Sequence, residues 1–340
     1  MLLTRSTVPS APFRAPNMFL TTIDAIFDQF GPIPGLCFGT ERSLIKHGMD
    51  LEVALQKLTL DYLNGLTSRD RFSLDTISNK IYKLRRSGVD MDSVMESIEP
   101  ITPFIASKVV AQMRTLQHHE LVHLFNRYIA FPPTRRMADD VFEAYCHIIF
   151  STRMEFAFVP MVRIGGQPTA KKKTNSQWFS SHAEFKGSAQ SHQARELEVL
   201  CASASASGVS LSISPSRVVD YSSDEIAGGL HIEADIYYIP ITTNQVGIDS
   251  FILHDNNLYL LQMSVSSTHG ISDKLLPFLV SLRGLPPKHN WHFIFIKPPR
   301  EVLACPIPGS AELWDLDLYS AEVEVKTIEP SIVRRSSRRK

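Results

Sequence analysis

A chain of 340 residues, 44% hydrophobic and 21% charged, is long enough for two ordinary domains or one large domain with extensions, and its composition excludes a disordered polymer. Lysine plus arginine equals aspartate plus glutamate at 35 each, so no overall field advertises nucleic acid and only local basic clusters remain open. Four scattered cysteines (Cys37, Cys146, Cys201, Cys305) without a CxxC fit reduced thiols in an intracellular setting, and no run of 18 apolar residues marks a membrane span.

Residues 1–17 carry Arg5, Arg14, hydroxyl residues and prolines. The prolines break any presequence-like helix and no secretory apolar core is present, so this stretch is expected to be a disordered terminus. From 18 to about 130 the patterning is helical. Ile23, Ile26, Phe27 and Phe30 make one apolar face before Gly31-Pro32. Leu51–Leu66 spaces leucines as an amphipathic helix, and Ser107–Phe125 reads as a second long helix after Pro100 and Pro103. Ala138–Phe150 follows the Pro132-Pro133 break and is again helical.

The texture then changes, and residues 131–330 read as an α/β domain. Phe156–Val162 is β-like, and a loop-rich, serine-rich insertion near 165–217 includes one alternating strand, Val209–Ser214. A compact block follows: a strand at Ile232–Ile239, two strands at Val246–Leu253 and Leu258–Ser266, a helix near Ile271–Leu282 and a buried strand at Trp291–Ile296. Helix, antiparallel strands, helix and strand in that order predict a mixed α/β (α+β) core. Residues 331–340 form a basic tail that suits nuclear import or a nucleic-acid arm, with a solvated tail as the plainer reading.

The hairpin carries the sharpest chemistry. A two-residue turn at Asp255-Asn256 makes paired residues sum to 511, which sets Asp249 opposite Gln262 with Cβ atoms about 5 Å apart. Nuclease cores of the PD-(D/E)xK type need an Asp on one strand, a Glu or Gln thirteen or more residues later and a Lys two beyond, often with a helical Glu upstream. The acids hold Mg²⁺, and ion and Lys together activate water and neutralise phosphate. Asp249, Gln262 and Ser264 match that spacing, but Ser264 stands where the Lys belongs. On spacing alone, a purely structural hairpin is the plainer reading.

Other motifs are weaker. His119-Glu120-Leu121-Val122-His123 is a literal HExxH that on a helix could bind Zn²⁺ with Glu143 as third ligand, in the manner of a zinc metalloprotease, although surface histidines explain it as well. Gly165-Gly166 with Lys171-Lys172-Lys173 could meet phosphate but reads more plainly as an exposed loop. Ser264, Ser266 and His269 lack an acid and a nucleophile elbow, and no P-loop is encoded.

Several stretches together resemble one family. These are Gly31–Phe38 after an aromatic helix, Phe142-Glu143 with His147, and Tyr238-Ile239-Pro240 followed by Asn244 and Ile248-Asp249-Ser250-Phe251-Ile252. Leu260–Ser266 followed by His269-Gly270-Ile271, and Phe293–Pro299, complete the set. Across roughly 22–325 the chain resembles crinkler and retrotransposon-hot-spot (RHS)-type proteins. The resemblance implies their restriction-endonuclease-like domain without the ubiquitin-like header and P-loop NTPase that usually precede it. A separate NTPase would then be a partner. It further implies a metal pocket of Glu143, Asp249 and Gln262, Mg²⁺ if the protein is an active DNA endonuclease, and nucleic acid or nuclear proteins as partners in the nucleus. Ser264 makes the site look degenerate, so a non-catalytic interaction module of the same fold is the competing expectation. Lys274 is a candidate migrated lysine, with a surface lysine as the plainer reading.

Overall fold

A computed structural model describes residues 23–37, 39–67, 78–87, 95–164, 199–203, 207–241, 247–301, 303–306, 313 and 316–327. The N-terminal stretch, most of the insertion and the basic tail lie outside these residues.

The helical region opens with α1 (Ile23–Phe30), α2 (Pro34–Cys37) and α3 (Glu41–Gln56). The single helix expected over Leu51–Leu66 is instead two, because the chain breaks at Lys57 and restarts as α4 (Leu60–Gly65), where the Thr59 hydroxyl accepts the Tyr62 amide. After α5 (Ser78–Ile81) comes an antiparallel ribbon, β1 (Tyr82–Ser87) and β2 (Met95–Pro100), in a stretch that had read as helical throughout. The long helix expected over Ser107–Phe125 is likewise split into α6 (Pro103–Met113) and α7 (His118–Ala130). Thr102 caps α6, and a capping box between Gln117 and Glu120 starts α7. Helix α8 (Met137–Phe150) follows.

The remaining strands are β3 (Met154–Ile164), β4 (Val199–Ala202), β5 (Val209–Ile213), β6 (Arg217–Tyr221), β7 (Ile236–Pro240), β8 (Ser250–His254), β9 (Asn257–Met263), β10 (Trp291–Lys297), β11 (Ala304–Pro306) and β12 (Asp317–Glu322). Two short helices intervene, α9 (Ser223–Ala227) and α10 (Leu275–Ser281). The strands join in one mixed sheet ordered β11-β4-β3-β12-β10-β9-β8-β7-β6, with β5 paired to β3. Strands β7, β8 and β9 form an antiparallel meander, and β10 runs parallel to both β9 and β12. The expected α/β class is therefore what the chain adopts, with β4, β6, β11 and β12 as strands that periodicity does not mark.

Alternation along the central strands feeds two cores. Leu261, Met263, Ile294 and Ile296 pack on one side with α6, α7 and α8, in a cluster that reaches Leu51, Leu63 and Ile98 of the helical region. Leu258, Leu260, Phe293 and Phe295 pack on the other side with Leu275, Phe278 and Leu279 of α10. Strands buried on both faces read as near-continuous apolar runs, which is why WHFIFI was legible.

The turn between β8 and β9 has Asp255 at φ 47° and Asn256 at φ 59°, the paired left-handed conformation that matches strand twist. Asn256→Val is expected to lower stability by about 1–2 kcal/mol, since a β-branched residue is strained there. Asn256→Gly should be neutral or better, as compared by urea denaturation midpoints.

Candidate functional site

The register of the hairpin, Ser250↔Leu261 through His254↔Asn257, keeps the sum of 511. Asp249 sits one residue before β8 and donates its amide to the Leu261 carbonyl at 2.9 Å. Gly247 sets the approach: its φ of 78° and the Ser272 Cβ only 2.9 Å from where a Cβ would stand leave no room for a side chain. The Asp249 carboxylate then meets Gln262, whose Nε2 donates to Oδ2 at 2.8 Å, and the Met263 amide donates to the same oxygen at 2.6 Å. Both side chains are buried, and Gln262 Oε1 has no hydrogen-bond partner.

Helix α8 brings acids to this point. Positions 139, 143 and 147 recur at i, i+4 and share one helical face. Asp139 caps the end of β9, its Oδ1 accepting the Val265 amide at 2.6 Å and the Ser264 hydroxyl at 3.2 Å. Ser264 Oγ in turn accepts the Ser266 amide at 3.0 Å, so this buried hydroxyl is a fastener between strand and helix. Glu143 Oε1 lies 3.4 Å from His147 Nε2. On the far side, His147 Nδ1 is 2.9 Å from the Tyr237 hydroxyl, which donates to Ser250 Oγ at 2.8 Å. Tyr237 spends its proton on Ser250, so it accepts from His147 Nδ1 and leaves Nε2 as an acceptor facing Glu143.

The electrostatics follow from crowding acids where water is scarce. Burial pushes the Glu143 carboxyl up to about 8, with the Asp139 charge adding and Arg114 opposing. Burial, and next the Glu143 charge, raises Asp249 well above the carboxylate range despite the Met263 and Gln262 hydrogen bonds. Asp140 is raised by burial and by Glu143, and its Oδ2 has no partner. Asp139 is raised by burial, partly offset by Val265, Ser264, His269 and Arg136. His147 is held well below its ordinary value by burial and then by Arg114, which keeps the ring neutral. Burial thus favours the neutral forms of these acids, and His147 Nε2, 3.4 Å from Glu143 Oε1, is left without a hydrogen-bond partner.

Of the residues expected at the site, Asp249 and Gln262 touch, Glu143 is in electrostatic reach of Asp249, and Ser264 is bound to Asp139. Asp139 and Asp140 were not anticipated. The signal that would have found them is the acid-rich first turn of α8 in helical register with Glu143 and His147. Lys274 is exposed at the N-terminal boundary of α10. In the HExxH segment His119 and His123 are exposed, and the Glu120 carboxylate accepts the Gln117 amide at 2.7 Å as a helix cap.

Glu143, Asp249 and the Gln262 amide are oxygen donors of the type hard cations take, and Gln262 Oε1, Asp140 Oδ2 and His147 Nε2 are buried without hydrogen-bond partners. Among the described residues, no group of three or more His, Cys, Asp or Glu side chains is arranged to hold a metal ion, so the fit depends on Gln262 as an oxygen donor. No described helix is long and apolar enough to cross a membrane. No protein-family model, curated protein or solved structure matches the chain.

Proposed function

We propose that the chain is a nuclease-like protein of the crinkler/RHS type that binds nucleic acid, with a Mg²⁺ pocket at Glu143, Asp249 and Gln262 and with catalysis weakened by Ser264. The observation that carries this reading is the Asp249–Gln262 pair at the head of an antiparallel meander, joined there by an acid-bearing helix. The order α8, β7-β8-β9, α10, β10 supports a restriction-endonuclease-like core.

In this reading Glu143 and Asp249 would hold the cation through carboxylate oxygens and Gln262 through its free Oε1. Bound Mg²⁺ supplies Lewis acidity, lowering the pKa of a coordinated water and neutralising phosphate charge. His147, hydrogen-bonded to Tyr237, lies behind Glu143. Ser264 supplies no positive charge to a phosphate and is occupied with Asp139, which favours a binding role over rapid cleavage. In this reading the basic tail serves nuclear import, and a separate NTPase is a further partner.

Mn²⁺, the spectroscopic stand-in for Mg²⁺, is the direct probe. The full-length protein should bind it in a titration followed by electron paramagnetic resonance, and Asp249→Asn and Glu143→Gln should each weaken binding by at least about tenfold. Because the ion displaces protons, affinity should rise with pH up to about 8, where Glu143 titrates. A wild-type protein that leaves Mn²⁺ free across that range removes the metal-pocket reading. If Mn²⁺ binds but plasmid DNA is untouched by wild type and Asp249→Asn alike, the non-catalytic form of the proposal stands.

A further inference from the structure

The ribbon β1–β2 presents a charge arrangement that packing alone does not require. Antiparallel register pairs Lys83 with Glu99 and Arg85 with Ser97, so Lys83, Arg85 and Glu99 share one face, while Tyr82, Leu84 and Ile98 turn to the core. The Glu99 side chain is only 7% exposed, yet three cations converge on it. Lys83 Nζ is 3.4 Å from Oε1, Arg85 Nη1 is 3.9 Å from the same oxygen, and Arg136 Nε is 3.0 Å from Oε2. Those cations are 49%, 49% and 60% exposed. One buried carboxylate thus gathers three solvent-facing cations, and the cluster keeps a surplus of two positive charges. A structural ion pair would need one partner; Lys83 also donates to the Ile101 carbonyl at 3.1 Å, and the surplus still leaves guanidinium hydrogens and one ammonium hydrogen to meet another anion.

The position of the cluster identifies that anion. Arg136 is the residue immediately before α8, and its charge acts on Asp139 and Asp140, the first acids of the pocket. A cationic surface therefore adjoins the buried acids that α8 carries. A polyanion whose charges repeat along its length can span both, with one phosphate on the cations and another beside the pocket.

We propose that Lys83, Arg85 and Arg136 form a seat for the sugar-phosphate backbone of a nucleic-acid strand and place that strand alongside the acid pocket. The seat rests on the nucleic-acid half of the reading above. It makes backbone contacts only, so it confers affinity and orientation without base preference.

The test uses the full-length protein and a fluorescein-labelled oligonucleotide in EDTA, with anisotropy followed over a range of salt. Lys83→Gln/Arg85→Gln is the working variant because it leaves the Arg136–Glu99 pair to satisfy the buried carboxylate, and an unchanged melting temperature verifies folding. Binding should weaken by about tenfold or more at low salt, and the log–log salt slope should fall by about 1.4–1.8, since each of the two lost phosphate contacts removes about 0.7–0.9. Equal affinity and slope in variant and wild type overturn the proposal. So does binding to phosphatidylserine-containing vesicles with none to the oligonucleotide, which would make the cluster a membrane contact. Mn²⁺ titration of the same two proteins separates the ideas. Normal Mn²⁺ uptake with undiminished oligonucleotide affinity in the variant sinks the seat and spares the pocket. Absent Mn²⁺ uptake with cation-dependent oligonucleotide binding does the reverse.

Discussion

Asp249→Ala is expected to destabilise the protein by about 3–5 kcal/mol, while Asp249→Asn costs less than about 1 kcal/mol. The difference lies in what the carboxyl does for the backbone. Its Oδ2 accepts both the buried Met263 amide and the Gln262 Nε2. Alanine strands both donors away from water, and each orphaned group costs on the order of 1–3 kcal/mol. Asparagine keeps an acceptor oxygen at that place. It also resembles the neutral form that burial already imposes on Asp249. Urea denaturation of the two variants at one pH checks the contrast. A cost for alanine no greater than that for asparagine would show that the two donors find other acceptors. Asparagine is accordingly the sounder probe of function, because a loss of activity in the alanine variant would mix chemistry with folding.

Stability should pass through a maximum near pH 6–7 and fall on the alkaline side by on the order of 2–4 kcal/mol between pH 6.5 and 8.5. The sign follows from proton counts. Glu143 rises from 4.5 to about 8 on folding, and Asp249 and Asp140 also rise, so the native state holds more protons than the unfolded chain above pH 4.5. That contribution is fully present below the unfolded pKa and is lost as pH climbs through about 8. The histidines act in the opposite direction. His147, His47, His118 and His292 are all lowered, chiefly by burial, so the unfolded chain takes up more protons below about 6.5 and stability drops as pH falls. Glu143→Gln should flatten the alkaline limb and leave the acid limb in place, because an amide of the same shape never ionises. Melting temperatures at several pH values between 5 and 9 measure both limbs. An alkaline limb of equal steepness in the variant would assign it to other groups.

Much of the hairpin could be read in the sequence because its determinants are local. Asp255-Asn256 supplies the turn, and a two-residue turn dictates every pairing along the strands, including Asp249 with Gln262. The helix breaks were harder. Nothing as conspicuous as proline marks Lys57 or the stretch after Met113; the interruptions are made by Thr59 and the Gln117–Glu120 cap, whose effect depends on where each new helix can dock. The β1–β2 ribbon escaped notice because its outer face carries Lys83 and Arg85, and among its described side chains just Tyr82, Leu84 and Ile98 turn inward. Strand β12 was invisible for another reason: it depends on pairing with β10 and β3, partners far away in sequence. At the site, residues 249 and 262 were legible as neighbours, whereas their meeting with Asp139 and Asp140 is tertiary. Only the helical spacing of 139, 143 and 147 hinted that α8 had an acidic side to deliver.

Helix α8 belongs at once to the packing of α6 and α7 and to the sheet face around β9, within one continuous apolar cluster. A helix shared in this way cannot be loosened from one neighbour without exposing the other. The N-terminal helices and the sheet are thus mechanically in series, and a substitution at Val109 on α6 or Leu124 on α7 transmits its slack through α8 to Glu143. Damage to the scaffold and damage to the pocket would register as the same event, a single melting transition in which both are lost together.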